Sequence, residues 1–254
     1  MSATGATRND PTEKVGGLAS SAKWQESLAP ILRRALLAGI LLDLGLIGGR
    51  VLLYTPVLNE PDSLIYVVEP VAILLGYAGV VVAVTTESNP GRTTALSYGT
   101  LAGLVTGSMW ILNLSVETFA DLSGGASLLA SAPLLLGAFA VWGAAGTYIA
   151  HRTRSLPLGI VAAVWGAMVC VVITVTFGFA LAFTSLPRLA QQMAADPDYL
   201  RSHWGDVTAF AIANQFNAAA SHLLIAPIVA ATVGLVGGLL AEGWGRLRAV
   251  SGRV

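Results

Sequence analysis

Seven residues hold most of the chemistry this chain has to offer: Asp43, Arg50, Glu69, Asn113, Glu117, Asn217 and His222, each in or beside a long apolar stretch. Carboxylates and an imidazole can hold a proton or a cation, a guanidinium can hold an anion, and the asparagines supply both donors and acceptors. Asn113 and Glu117 are four apart, so on a helix they are neighbours on one face. Asp43 and Arg50 are seven apart, on one face but about 10 Å apart along the axis, too far for an easy direct pair. An ionisable group inside a bilayer costs about 2.5 to 3.5 kcal/mol at a helix centre, so each of these calls for a partner on another helix or for water.

The elements that must position them are membrane helices. Of 254 residues, 55% are hydrophobic and only 11% charged, against about 25% charged in a soluble domain. Six segments reach the roughly 20 mostly apolar residues that a spanning helix needs: 31–54, 63–84, 94–114, 126–150, 156–183 and 218–241. Between them lie polar clusters bearing Pro and Gly, such as Asn59-Glu60-Pro61-Asp62 and Asn89-Pro90-Gly91-Arg92, with the turn chemistry of loops. Ser185 to Asp206 reads as the longest loop, Val207 to Asn217 as a helical approach to the last segment, and Pro227 as a kink within it. The expected fold is an all-α integral membrane protein, a single bundle of six transmembrane helices over 29–245. A largely disordered cytoplasmic tail (1–28) precedes it and a short cytoplasmic tail (246–254) follows.

Positive residues near helix ends are retained in the cytoplasm. With the N-terminus inside, only Arg50, Arg188 and Arg201 of the 14 Lys and Arg residues fall on the outer side. Both termini are therefore expected in the cytoplasm, in a bacterial-type plasma membrane. The polar N-terminus has no secretory-signal pattern, so the first apolar segment is expected to stay in the mature protein. In this orientation Arg50, Glu69, Glu117, Asn217 and His222 lie in the outer half, with Asp43 nearer the middle. The arrangement suggests a charge network in which Arg50 bridges Glu69 and Glu117, or a polar pocket open to the outside.

Glycines at four-residue spacing, Gly99, Gly103 and Gly107, and again Gly234 and Gly238, let another helix backbone come close. They suggest a tightly packed bundle, and faces through which a second copy or another membrane protein could associate. Besides the bilayer itself, no other partner is indicated. The net charge of +0 gives no basic face for nucleic acid.

Enzyme signatures are missing. The sequence contains no phosphate-binding Gly-x-x-x-x-Gly-Lys, no His-Glu-x-x-His and no Gly-x-Ser-x-Gly. A six-helix chain with a histidine in its last segment invites comparison with rhomboid proteases, but no glycine follows Ser127 in Gly124-Gly125-Ala126-Ser127. No catalytic residue, metal site or cofactor is assigned. Cys170, the single cysteine, lies in an apolar run and reads as a small core residue. Two functional readings stand. One is a permease-like or ligand-binding membrane protein with an outward-facing polar pocket. The other is an accessory or scaffold protein whose intramembrane charges are structural.

Overall fold

The computed structural model describes residues 11–60, 62–86, 89–119 and 125–251, and among these the regular structure is all helical. The helices are α1 (Pro11–Leu53), a single 3-10 turn (Thr55–Asn59), α2 (Ser63–Thr86), α3 (Pro90–Phe119), α4 (Gly125–Thr153), α5 (Leu156–Met193), α6 (Pro197–Arg201) and α7 (Val207–Ser251). Six of them contain stretches long and apolar enough to cross a membrane: Leu28–Leu53, Ser63–Thr86, Pro90–Phe119, Leu129–Thr153, Leu156–Met193 and Val207–Gly243. Of the tail expected to be disordered, residues 1–10 lie outside the described residues, and the backbone is helical from Pro11 onward.

Several helices outrun their apolar segments because their ends are well made. Asn89 precedes α3 and accepts from the Gly91 amide (2.9 Å) through Oδ1, while Pro90 fills the first helical position, where its missing N–H costs nothing. Asp206 caps α7, Oδ1 accepting from the amides of Thr208 (2.8 Å) and Ala209 (3.3 Å). The expected Ser185–Asp206 loop is corrected: α5 continues through Pro187 to Met193, and the short α6 lies within the remainder.

Helix α5 is the hub. In its apolar stretch 72% of the residues are buried, against at most 33% in any of the other five long apolar helices, and it packs on α1, α3, α4 and α7. Close approach sets this geometry. A Cβ added at Gly99 would fall 2.5 Å from the Ala162 carbonyl oxygen, and one at Gly103 2.6 Å from that of Gly166, so only glycine lets α3 lie this close to α5. Gly107 continues the seam against Ile173. Gly234 packs against the Ala163 Cβ and Gly238 under the Leu156 side chain of α5. All five glycines are thus used inside one chain.

Hydroxyl side chains are made compatible with an apolar surround by donating to the carbonyl one turn back, as in Thr85 to Val81 (2.6 Å), Thr106 to Ala102 (2.9 Å) and Ser185 to Leu181 (2.7 Å). Tyr77 of α2 donates to the Leu223 carbonyl of α7 (2.6 Å), tying two helices that lie far apart in sequence.

One end of the bundle is closed by the α5–α7 connection folding back on the α1–α2 link. Tyr54 donates to Asp206 Oδ2 (2.6 Å), the Gly205 amide donates to Glu60 (3.2 Å), and Trp204 stands edge-on to Tyr66 and Phe210. Partial burial pushes the Asp206 carboxyl up, but hydrogen bonds from Tyr54 and the Ala209 and Thr208 amides outweigh it and hold the group below the usual carboxylate range. Tyr54 is shifted upward, first by its hydrogen bond to that carboxylate and then by burial.

Candidate functional site

The feature most able to act on another molecule is a half-open cleft bounded by α3, α4, α5 and α7. It consists of three adjoining hollows of about 190, 310 and 290 Å³. His222 lines all three, Glu117 lines the second and third, and Trp110 the first and third. Small-molecule sites begin at about 300 Å³, so the joined hollows suit a small ligand. The walls are mostly apolar: Leu135, Phe139 and Trp142 from α4, Phe179 and Gly178 from α5, Ile225 and Val229 from α7. Its rim includes Leu135, 38% exposed, and Ile225, 56% exposed, so the opening lies on an apolar surface.

Polar groups converge toward one end. Asn113 and Glu117 stand one turn apart on α3, and Asn113 Nδ2 donates to Glu117 Oε1 (2.9 Å). Ser131 of α4 donates to the same oxygen (2.8 Å). His222 Nδ1 lies 2.7 Å from the Ala218 carbonyl oxygen. A carbonyl can only accept, so Nδ1 carries the proton and, in the neutral ring, Nε2 remains as an acceptor. Trp110 packs edge-on against the His222 ring (centroids 5.2 Å apart, interplanar angle 89°), which fixes the imidazole from α3. Within the wall, Trp142 donates its indole N–H to Thr106 Oγ1 (3.1 Å), and Thr174 donates to the Cys170 carbonyl (2.9 Å).

The seven residues singled out by the sequence do not form one constellation. Asn113, Glu117 and His222 come together in the cleft. Asp43 and Arg50 face α5 from its α1 side: Asp43, fully buried, accepts from Thr176 Oγ1 (2.5 Å), and Arg50 donates to the Ala182 carbonyl (3.1 Å) with its guanidinium 4.8 Å from the Phe183 ring centroid. Asp43 Oδ2 and Arg50 Nε are buried without a hydrogen-bond partner. Glu69 and Asn217 are exposed and line none of the three hollows.

The expected bridges from Arg50 to Glu69 and Glu117 do not form among the described residues. The buried stripe of α2 runs through Pro70, Leu74, Tyr77, Val81 and Thr85, and Glu69, one residue from Pro70, is turned about 100° away from it. Arg50 meets α5 instead, next to the carbonyl of Phe183, which Pro187 cannot serve because proline has no amide hydrogen.

Trp110, Ser131, Thr174, Gln192 and Gln215 also line the cleft without having been picked out from the sequence. Trp110 was within reach of that reading, since it precedes Asn113 by three residues and Glu117 by seven and so shares their helical face. The others depend on how α4, α5 and α7 are rotated. Among the described residues, no three His, Cys, Asp or Glu side chains gather as a metal ion would require. No protein-family model, curated protein or solved structure matches the chain.

Proposed function

We propose that this is a ligand-binding, permease-like membrane protein whose site is the cleft among α3, α4, α5 and α7, and whose ligand is a small amphiphile reaching it from the plane of the bilayer. The observation that carries the reading is the polarity gradient of one continuous cleft. Trp142, Phe139, Ile225 and Val229 line its apolar part, Glu117, Asn113 and Ser131 gather at the other end, and His222 borders both. An apolar wall with a few convergent polar groups is the usual form of a small-molecule site. The proposed setting is a bacterial-type plasma membrane, and the distribution of Lys and Arg favours cytoplasmic termini, which sets the Glu117 end of the cleft toward the outside.

The test is a variant that fills the cleft without disturbing the fold. Gly178 lines the middle hollow and a Cβ there would meet only Leu114 Cδ1, at 4.0 Å, so Gly178→Phe starts from open space and adds its bulk at the hollow. The full chain in nanodiscs should bind a neutral apolar fluorophore saturably, Gly178→Phe should abolish this, and Leu101→Phe on an exposed face of α3 should not. Undiminished binding by Gly178→Phe would remove the proposal.

The accessory or scaffold reading is favoured by one observation. Glu69 is exposed on α2 beside the exposed apolar residues Leu64, Ile65 and Val68, where a cationic group on a partner helix would cover it. Under that reading Glu69→Gln would alter association with the partner and Gly178→Phe would not.

A further inference from the structure

We infer that the cleft takes a cationic amphiphile with a protonated primary or secondary amine as its head and an apolar, ring-bearing body. This rests on the ligand-binding reading above and names its ligand class.

Charge gives the first argument. Glu117 is the one charged side chain among the described lining residues of the three hollows, and none of them is Lys or Arg. Its Oε1 already receives Asn113 Nδ2 and Ser131 Oγ, while Oε2 receives no hydrogen bond from the described residues. His222 makes no ion pair with it. A carboxylate oriented by two donors and lacking a cation is a counter-ion in waiting at the edge of an apolar cleft.

The second argument is the acceptor capacity left on three of the lining groups. Trp110 Nε1, Asn113 Nδ2 and the Gln192 and Gln215 amides keep donors, so it is the charge of Glu117 that sets the preference for a cation. Ser131 Oγ has given its hydrogen to Glu117, Thr174 Oγ1 has given its hydrogen to the Cys170 carbonyl, and His222 Nδ1 has given its own to Ala218. What these groups keep is acceptor capacity: lone pairs on the two hydroxyls, on Glu117 Oε2 and on His222 Nε2. An ammonium paired with Glu117 brings two or three N–H bonds, which Ser131 and His222, lining the same hollow as Glu117, can accept. A trimethylammonium answers the charge but brings no donor, an alcohol brings one donor but no charge, and a carboxylate is repelled. The aromatic rings of Trp110, Phe139, Trp142 and Phe179 supply the surface on which a ring-bearing body would lie.

Four probes sharing one body separate these terms: phenylbutylamine, phenylbutyltrimethylammonium, phenylbutanol and phenylbutyrate, titrated calorimetrically into the full chain in nanodiscs. The amine should bind tightest and the carboxylate weakest. Glu117→Gln should weaken the amine about tenfold, which is about 1.4 kcal/mol, and leave the alcohol within about twofold. Amine and alcohol binding equally well to the unaltered protein would overturn the inference, as would an amine affinity indifferent to Glu117→Gln. Should that variant fail to fold, the ranking of the four probes on the unaltered protein decides alone. Gly178→Phe distinguishes the two levels of failure. If it abolishes all binding while the ranking is flat, the cleft stands and the ligand class falls; if it leaves every probe bound, the cleft reading itself falls.

Discussion

Replacing Gly103 by alanine tests the packing on which the whole arrangement depends. The new Cβ would lie 2.6 Å from the Gly166 carbonyl oxygen and 2.6 Å from Val169 Cβ, whereas ordinary contact begins at 3.4 Å. Helices α3 and α5 would therefore have to separate locally by about 0.8 Å, the difference between those two distances. A gap of 0.5–1 Å forfeits a quarter to a half of each dispersion contact along the seam, and overpacking of a fitted core costs about 1–3 kcal/mol. Alanine's better helix propensity returns at most about 1 kcal/mol. The difference is about 0–2 kcal/mol, and because the Gly166 contact is with backbone, which cannot rotate away, the upper half, a loss of about 1–2 kcal/mol, is expected. Gly79→Ala is the control, because a Cβ there meets nothing within 4 Å and leaves only the favourable propensity change. Equilibrium unfolding of the two variants in mixed micelles, followed by circular dichroism, should shift in opposite directions from the unaltered protein. Equal shifts, or a Gly103→Ala variant as stable as the unaltered protein, would refute the reasoning.

Three further outcomes follow from the same structure. Thr106→Val should destabilise by about 1–3 kcal/mol, because it leaves the buried Trp142 indole N–H without its acceptor; unfolding in mixed micelles measures it, and a neutral result would show that the indole finds another partner. Arg50→Ala should cost about 1.5–3 kcal/mol through the lost charged hydrogen bond to Ala182, while Arg201→Ala, whose ion pair with Asp198 is exposed, should cost less than about 1 kcal/mol. The Tyr54–Asp206 clasp should make stability depend on pH at both extremes. Asp206 titrates below its ordinary value of about 3.9, so its contribution is present above that pH and is lost as pH falls through the lower folded value. Tyr54 titrates above about 10, so its contribution is present below that pH and is lost as pH rises through the higher folded value. Unfolding midpoints recorded against pH should lose the acid-side slope in Asp206→Asn and the alkaline-side slope in Tyr54→Phe.

Length and polarity along the chain were enough to place six segments long and apolar enough to span a membrane. The ends were less legible. Hydropathy stops where apolar residues stop, whereas α3 starts at Pro90 under the Asn89 cap, and α5 runs past Pro187 to Met193. The glycine spacing pointed to close packing, but only the structure says that the neighbour is α5 of the same chain. Within the site, Asn113 and Glu117 were readable as a pair because both are on one helix. Contacts between helices were not: α2 is apolar nearly all round, so nothing in its sequence revealed that Glu69 would turn away from Arg50. The same lack of a rotational signal hid the meeting of Trp110 with His222 and of Ser131 with Glu117.

The most direct test of the central claim is photolabelling in a bilayer. The full chain would be illuminated with a diazirine-bearing phenylbutanol, with and without excess unlabelled probe, and the adducts mapped by mass spectrometry. Adducts that the unlabelled probe suppresses should fall on cleft residues such as Leu114, Leu135, Phe179 and Ile225. Adducts at Leu75 and Leu101, on exposed apolar surface, should persist unchanged. Suppression at Leu75 and Leu101, or none in the cleft, would contradict a ligand site among α3, α4, α5 and α7.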